Sequence, residues 1–174
     1  GKFLHEHIVD LHHRRAASPG SADTTLRALI WMAAAVAASE AKTHPPMSAT
    51  RYGFVGVGTM SSAIVRGMCT LPESPQSVVL SPRGAEKAAA LAAAFPGTVS
   101  IAADNQGVVD ASDVVFVGVL PKQCEEVLRA LRFEARHTVV SLVSTAPLSL
   151  LHEVCAPVPA TQVVRAIPLP PVAK

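Results

Sequence analysis

The run Gly53-Phe54-Val55-Gly56-Val57-Gly58-Thr59-Met60-Ser61 holds the residue types needed to bind an anion with backbone alone. Gly56 permits a tight turn at the end of a strand. Gly58 lets the backbone approach a pyrophosphate with no Cβ in the way, and free N–H groups at the start of the following helix receive the charge. Ser61 stands where a third glycine is usual and is small enough for close packing of helix on strand. By itself a Gly-x-Gly-x-x-Ser run is equally well plain turn chemistry. Its setting favours the dinucleotide reading, because a β-branched run precedes it, a segment of helical period follows, and further strand-helix units lie downstream.

A second group of interest, Ser81-Pro82-Arg83-Gly84, follows the next apolar run. Domains that prefer NAD commonly carry an acid there, on the ribose 2′-hydroxyl. Here a hydroxyl and a guanidinium take its place, and Arg suits a 2′-phosphate through charge-assisted, bidentate hydrogen bonds. The cofactor expected is therefore NADP(H), with NAD(H) as the alternative; Arg83 as a solvated turn residue is the competing reading.

These residues need a scaffold, and the sequence supplies its pattern from Arg51 onward. Short β-branched runs alternate with Ala/Leu-rich segments, as in repeated βα units of a parallel sheet. The runs predict strands over Tyr52–Val55, Ser77–Leu80, Val99–Ala102, Asp113–Val119, Thr138–Val143 and Gln162–Ile167. Met60, Ala63, Ile64, Gly67 and Met68 recur at helical spacing, as do Cys124, Val127, Leu128 and Leu131, and each set is expected to be a buried face. Ala85–Phe95 predicts a helix stopped by Pro96-Gly97, and Pro147 is placed to open another with Thr145 as cap. Most strands read as continuous apolar runs, which is expected when helices cover both faces. The fold class is α/β, a Rossmann-type doubly wound parallel sheet over residues 51–172, preceded by an N-terminal extension, 1–50.

The bulk composition limits the function. With 49% hydrophobic residues but 4% aromatic, the core is built from Ala, Val and Leu. A net charge of +2 with no dense basic run argues against a nucleic-acid partner. Cys69, Cys124 and Cys155 are odd in number and widely spaced, so reduced buried thiols are expected, and a reducing compartment with them: the cytoplasm, with the mitochondrion as the alternative. No metal site is expected. His5, His7, His12 and His13 cluster near the start without a surrounding ligand set. The apolar stretch Ala28–Ala38 is too short to span a bilayer, and no membrane partner is expected. Met47 lies just before the first strand, so residues 1–46 read as a leader or upstream translation. His137 and His152 are the remaining acid-base candidates, and structural or solvated roles are expected of both.

Taken together, residues 51–172 resemble the pyrroline-5-carboxylate reductase family. Gly53 through Met60 look like its opening glycine motif, and Ser81 with Arg83 looks like its pair for the 2′-phosphate. Asn105 and the following Ala111–Val119 are similar to its asparagine and fourth strand. The strand ending departs from the family: Val119-Leu120-Pro121-Lys122 stands where Val-Lys-Pro is usual, so Val119, Leu120 and Pro121 are cofactor candidates through backbone alone. Ser144-Thr145 replaces an Ala-Gly, and in the closing segment Val164–Pro171 Leu169 and Pro170 replace Asn-Thr.

The resemblance implies an NADPH-dependent reduction of 1-pyrroline-5-carboxylate to proline. It assigns Gly56, Gly58, Thr59, Met60, Ser81, Arg83, Asn105, Val119, Leu120 and Pro121 to the cofactor and names no catalytic residue. It also implies a small imino-acid substrate, and a helical C-terminal domain, not present up to Lys174, through which the full-length protein would form a homo-oligomer. Two other expectations stand beside it: a related NADP-dependent dehydrogenase with another small substrate, and a catalytically silent dinucleotide-binding fragment.

Overall fold

The structure, a computed structural model, describes residues 46–167. The early histidine cluster, the Ala28–Ala38 stretch and Pro168–Pro171 lie outside the described residues. The β-branched runs form strands β1 (Arg51–Val55), β2 (Ser77–Leu80), β3 (Val99–Ile101), β4 (Val114–Val117), β5 (Thr138–Ser141) and β6 (Val163–Arg165). Between them lie α1 (Thr59–Cys69), α2 (Ala85–Ala94), α3 (Asn105–Asp110), α4 (Cys124–Arg129) and α5 (Leu148–Val154). Every pairing is parallel and the order is β3-β2-β1-β4-β5-β6. This is the doubly wound arrangement expected, with the chain reversing its direction of winding between β1 and β4.

Alternation along the strands feeds two cores. Val115 and Val117 of β4 point to the face covered by α3, α4 and α5, where Val108, Leu128 and Leu151 are fully buried. Phe116 points to the face covered by α1 and α2, beside Phe54 of β1. Those two residues are register partners, and their rings stack with centroids 4.7 Å apart. Aromatic pairs of this kind are worth about 0.5–1.5 kcal/mol beyond the area buried.

Several boundaries differ from the sequence pattern. The strands β3 to β6 stop one or two residues short of their apolar runs, because the chain turns outward into the loops that carry the site. Ladder-like bonds still reach one residue further: Gly118 N–H donates to Val55 O, Leu142 N–H to Val117 O and Ala166 N–H to Ser141 O. In α1 the buried stripe is Ser61, Ile64, Val65 and Met68, whereas Ala63 is exposed. The stripe is rotated so that the small Ser61 packs against Gly118 just beyond β4, where a Cβ would meet its Oγ. The last helix has Pro147 itself in the capping position with no side-chain cap, so Thr145 does not serve that purpose. Met47 to Thr50, read from the sequence as extension, pack on the domain: Met47 O accepts from Gln76 N–H at 3.2 Å and Thr50 is buried.

The amino ends of the central strands are tied by charge. Arg51 of β1 donates through Nη2 to Asp113 Oδ1 at 2.6 Å and through Nε to Oδ2 at 3.0 Å. Arg136, just before β5, donates to Ser112 O at 2.8 Å. The hydrogen bonds and charge of Arg51, with the charge of Arg136, hold the Asp113 carboxyl below the usual carboxylate range. The pair is over a third exposed, so it contributes at most about 1 kcal/mol.

His137 is fully buried beside this network, edge-on to Phe133. Its Nδ1 accepts from Glu134 N–H at 2.9 Å, which leaves the proton on Nε2, for which there is no partner among the described residues. Burial and then the Arg136 charge push its pKa below 6.5, against the opposing pull of Glu134, Asp110 and Asp113. The folded chain therefore holds the imidazole neutral, while the unfolded chain takes up a proton near 6.5. Stability is complete above that value and is lost as pH falls through it. The urea midpoint is expected to drop between about pH 7.5 and about pH 5.5, and His137→Asn, which keeps an acceptor but cannot ionise, should flatten that slope.

Candidate dinucleotide-binding site

At the carboxyl end of the sheet, the loops after β1 and β4 diverge to opposite sides of the winding reversal. In open α/β sheets that divergence leaves the crevice in which ligands bind. The β1 to α1 loop, Gly56-Val57-Gly58, lies in this position.

Gly56 has φ +93°, and a Cβ there would stand 2.6 Å from Gly118 O and 3.0 Å from Val119 Cγ1. Glycine is thus required by both conformation and contact. Gly58 is different. Its φ is −84°, and an added Cβ would meet only Gly118 O at 3.9 Å. The fold alone does not demand glycine at 58; the space over it is open. No side chain caps the N-terminus of α1, so its first-turn N–H groups have no side-chain acceptor. A backbone cradle, an open approach and an uncapped helix start fit a pyrophosphate.

Ser81 sits at the end of β2 and is fully buried, its Oγ accepting from Gly56 N–H at 3.0 Å. The sequence pairs Ser81 with Arg83 for a 2′-phosphate; in the structure the hydroxyl instead braces the glycine loop, because the chain leaves β2 with that side chain turned inward. Arg83 is exposed and its Nη1 reaches Gln123 Oε1, at 3.4 Å, on the turn after β4. Four residues beyond Arg83, in the first turn of α2, Lys87 Nζ donates to Thr59 Oγ1 at 3.2 Å, at the first position of α1. Sequence reading missed Lys87, although a cation in the first turn of the helix predicted over Ala85–Phe95, just after Arg83, was the available signal. Among the described residues neither cation forms an ion pair.

The other expected residues line the same end of the sheet. Met60 is half-buried at the second position of α1. Asn105 is half-buried at the first position of α3, where Asp104 caps the helix by accepting from Gly107 N–H at 2.7 Å. Val119 packs on the core, Leu120 is 68% exposed, and Pro121 starts the short turn Pro121–Gln123. Arg165, at the end of β6, donates to Ala146 O at 3.0 Å and so holds the loop that carries Ser144 and Thr145.

Among the described residues no histidine is gathered here. His137 belongs to the amino ends of the strands and His152 lies within α5. Cys124 and Cys155 are buried, and burial pushes the Cys155 thiol up to about 12 and the half-buried Cys69 thiol up to about 11, so both are protonated at neutral pH. Among the described residues no three His, Cys, Asp or Glu side chains are grouped to hold a metal, and no helix is long and apolar enough to cross a membrane.

Residues 51–145, more than half of the chain, match the family described as NADP oxidoreductase, coenzyme F420-dependent. The chain belongs to this family. Membership places this NADP oxidoreductase-family domain among pyridine-nucleotide oxidoreductases, with NAD(P)(H) as the cofactor class. Among curated proteins no match to the sequence is found. Among solved structures the chain is similar to 1-pyrroline-5-carboxylate reductase from Streptococcus pyogenes, at 27% identity over 67% of this chain and 39% of that one, with a TM-score of 0.49. It is also similar to lactate dehydrogenase from Eimeria maxima, solved with NADH and oxamate, at 16% identity over 74% and 45%, with a TM-score of 0.53. The D-lactate dehydrogenase of Lactobacillus jensenii, solved with NAD+, is 12% identical over 82% and 49%, with a TM-score of 0.48. The chain spans less than half the length of each of these proteins. The likeness to the Eimeria enzyme is one of fold.

The two glycines are expected to respond differently to alanine. Gly56→Ala should cost about 1–3 kcal/mol from the positive φ alone, and more from the contact with Gly118. Gly58→Ala should stay within about 1 kcal/mol in stability yet weaken dinucleotide binding. Urea unfolding beside a fluorescence titration of each variant with NADPH separates the two effects.

Proposed function

We propose that this domain binds NADPH in preference to NADH and serves an NADPH-dependent reduction of a small imino acid, the reaction of pyrroline-5-carboxylate reductases. The observation that carries the cofactor preference is the pairing of Arg83 and Lys87 with uncharged oxygens beside the glycine loop, where an acid would serve NADH. Two cations with no carboxylate partner among the described residues keep their full charge for a 2′-phosphate.

The backbone N–H groups at Gly58, Thr59 and Met60 would receive the pyrophosphate on a loop turned by Gly56, with Arg83 and Lys87 on the phosphorylated ribose and Asn105 on the adenosine side. Ser81 keeps the glycine loop in shape. The backbone of Val119, Leu120 and Pro121 would line the nicotinamide ribose. The bound nicotinamide supplies the hydride, so the chain's part is orientation and exclusion of water, and no side-chain nucleophile is required. The substrate reading rests on the motif resemblance. Leu120 supports a second reading, a related dehydrogenase with a less polar substrate, because an exposed leucine stands where the resembled family carries a lysine.

Titration of the chain with NADPH and NADH is expected to show at least about a tenfold preference for NADPH. Arg83→Ala and Lys87→Ala should each reduce it roughly threefold to tenfold. A preference that persists in the double variant would sink the assignment. For the reaction, the full-length protein is to be assayed with NADPH against 1-pyrroline-5-carboxylate, small 2-oxo acids and coenzyme F420. Turnover of 1-pyrroline-5-carboxylate alone supports the imino-acid reading, and turnover of only another acceptor overturns it.

A further inference from the structure

Three loops meet over the dinucleotide crevice, and their backbones are in contact on both sides of the glycine loop. On one side Gly56 lies against Gly118 of the β4 loop. On the other, Gly84 has φ +88° and a Cβ there would stand 2.8 Å from Val57 O, so the β2 loop is pressed onto the glycine loop just after Arg83. The two outer loops are then joined across the top: Arg83 Nη1 from the β2 loop donates to Gln123 Oε1 from the turn after β4. The bond therefore spans the end of β1 and its glycine loop, which lie between β2 and β4, while the guanidinium itself stays exposed.

The chemistry of Gln123 matters as much as its place. Its amide oxygen accepts one bond and leaves the guanidinium charged, with its other N–H groups free for a second partner. A carboxylate in that position would orient Arg83 equally well but would neutralise it and repel an incoming phosphate. An apolar side chain of the same length would do neither. Gln123 is the neutral acceptor that aims the charge.

We propose that Gln123 is a positioning residue that sets dinucleotide selectivity by holding Arg83 over the glycine loop without cancelling its charge. This rests on the NADPH reading given above. It differs from it in making selectivity depend on a residue from the opposite side of the crevice, 40 positions away in sequence.

The test is the ratio of dissociation constants, NADH over NADPH, measured by nicotinamide fluorescence on the whole chain for wild type, Gln123→Glu, Gln123→Met and Arg83→Ala. Thermal unfolding of each variant serves as the control for folding. Gln123→Glu is expected to lower the ratio roughly tenfold, with the loss on the NADPH side. Gln123→Met, which keeps the length and removes the acceptor, is expected to lower it roughly threefold. A purely structural role would move stability and leave the ratio alone. If Arg83→Ala collapses the ratio while both Gln123 variants keep the wild-type value, the positioning role is wrong and the NADPH reading survives. If folded wild type shows no preference for Arg83→Ala to remove, the NADPH reading fails first, and this inference fails with it.

Discussion

The contact between Gly56 and Gly118 is the constraint on which the carboxyl end of this sheet depends. β1 and β4 are neighbours, and their loops must part to opposite sides within one or two residues of the last ladder bond. Gly56 can pass that close to Gly118 O only without a Cβ, a Cβ on Gly118 would in turn collide with Ser61 Oγ, and the positive φ of Gly56 turns the chain in the same step. The loop so placed is braced by a buried hydroxyl, Ser81 Oγ, so its shape is set before any ligand arrives. Preorganisation of that kind lowers the ordering cost of binding.

Charge is distributed to match. At the amino ends of the strands, Arg51, Arg136 and Asp113 satisfy one another, and His137 is kept neutral. At the carboxyl ends, Arg83 and Lys87 rest on a glutamine and a threonine, which orient them without compensating them. Pairing cations with carboxylates there would add little stability, since exposed ion pairs are worth at most about 1 kcal/mol. It would also cancel the field that attracts an anion. One end of the sheet is tied together and the other is left to bind.

Much of the fold was legible in the sequence for a simple reason. In a parallel sheet covered on both faces, each strand must be a short β-branched run and each connection a helix, so the pattern from Arg51 onward allows few other arrangements. The glycine spacing was equally legible, because the positive φ of Gly56 is a demand on residue type and an approaching pyrophosphate would make a second such demand at Gly58. Details governed by packing were not. The buried face of α1 was found from hydrophobicity only in part: Ile64 and Met68 lie on it as expected, but so does Ser61, and Ala63 is exposed.

The sequence by itself determined the class of fold, the glycine loop and the absence of an acid after β2, since all three are properties of local composition and short spacing. Only the tertiary structure decided what the polar residues near the loop do. Ser81 turns inward to hold Gly56, Lys87 comes to Thr59 at the start of α1, and Gln123 meets Arg83 from across the crevice. Those contacts join residues 25, 28 and 40 positions apart. They exist because the winding of the sheet brings the ends of β1, β2 and β4 side by side, a relation that no local pattern along the chain encodes.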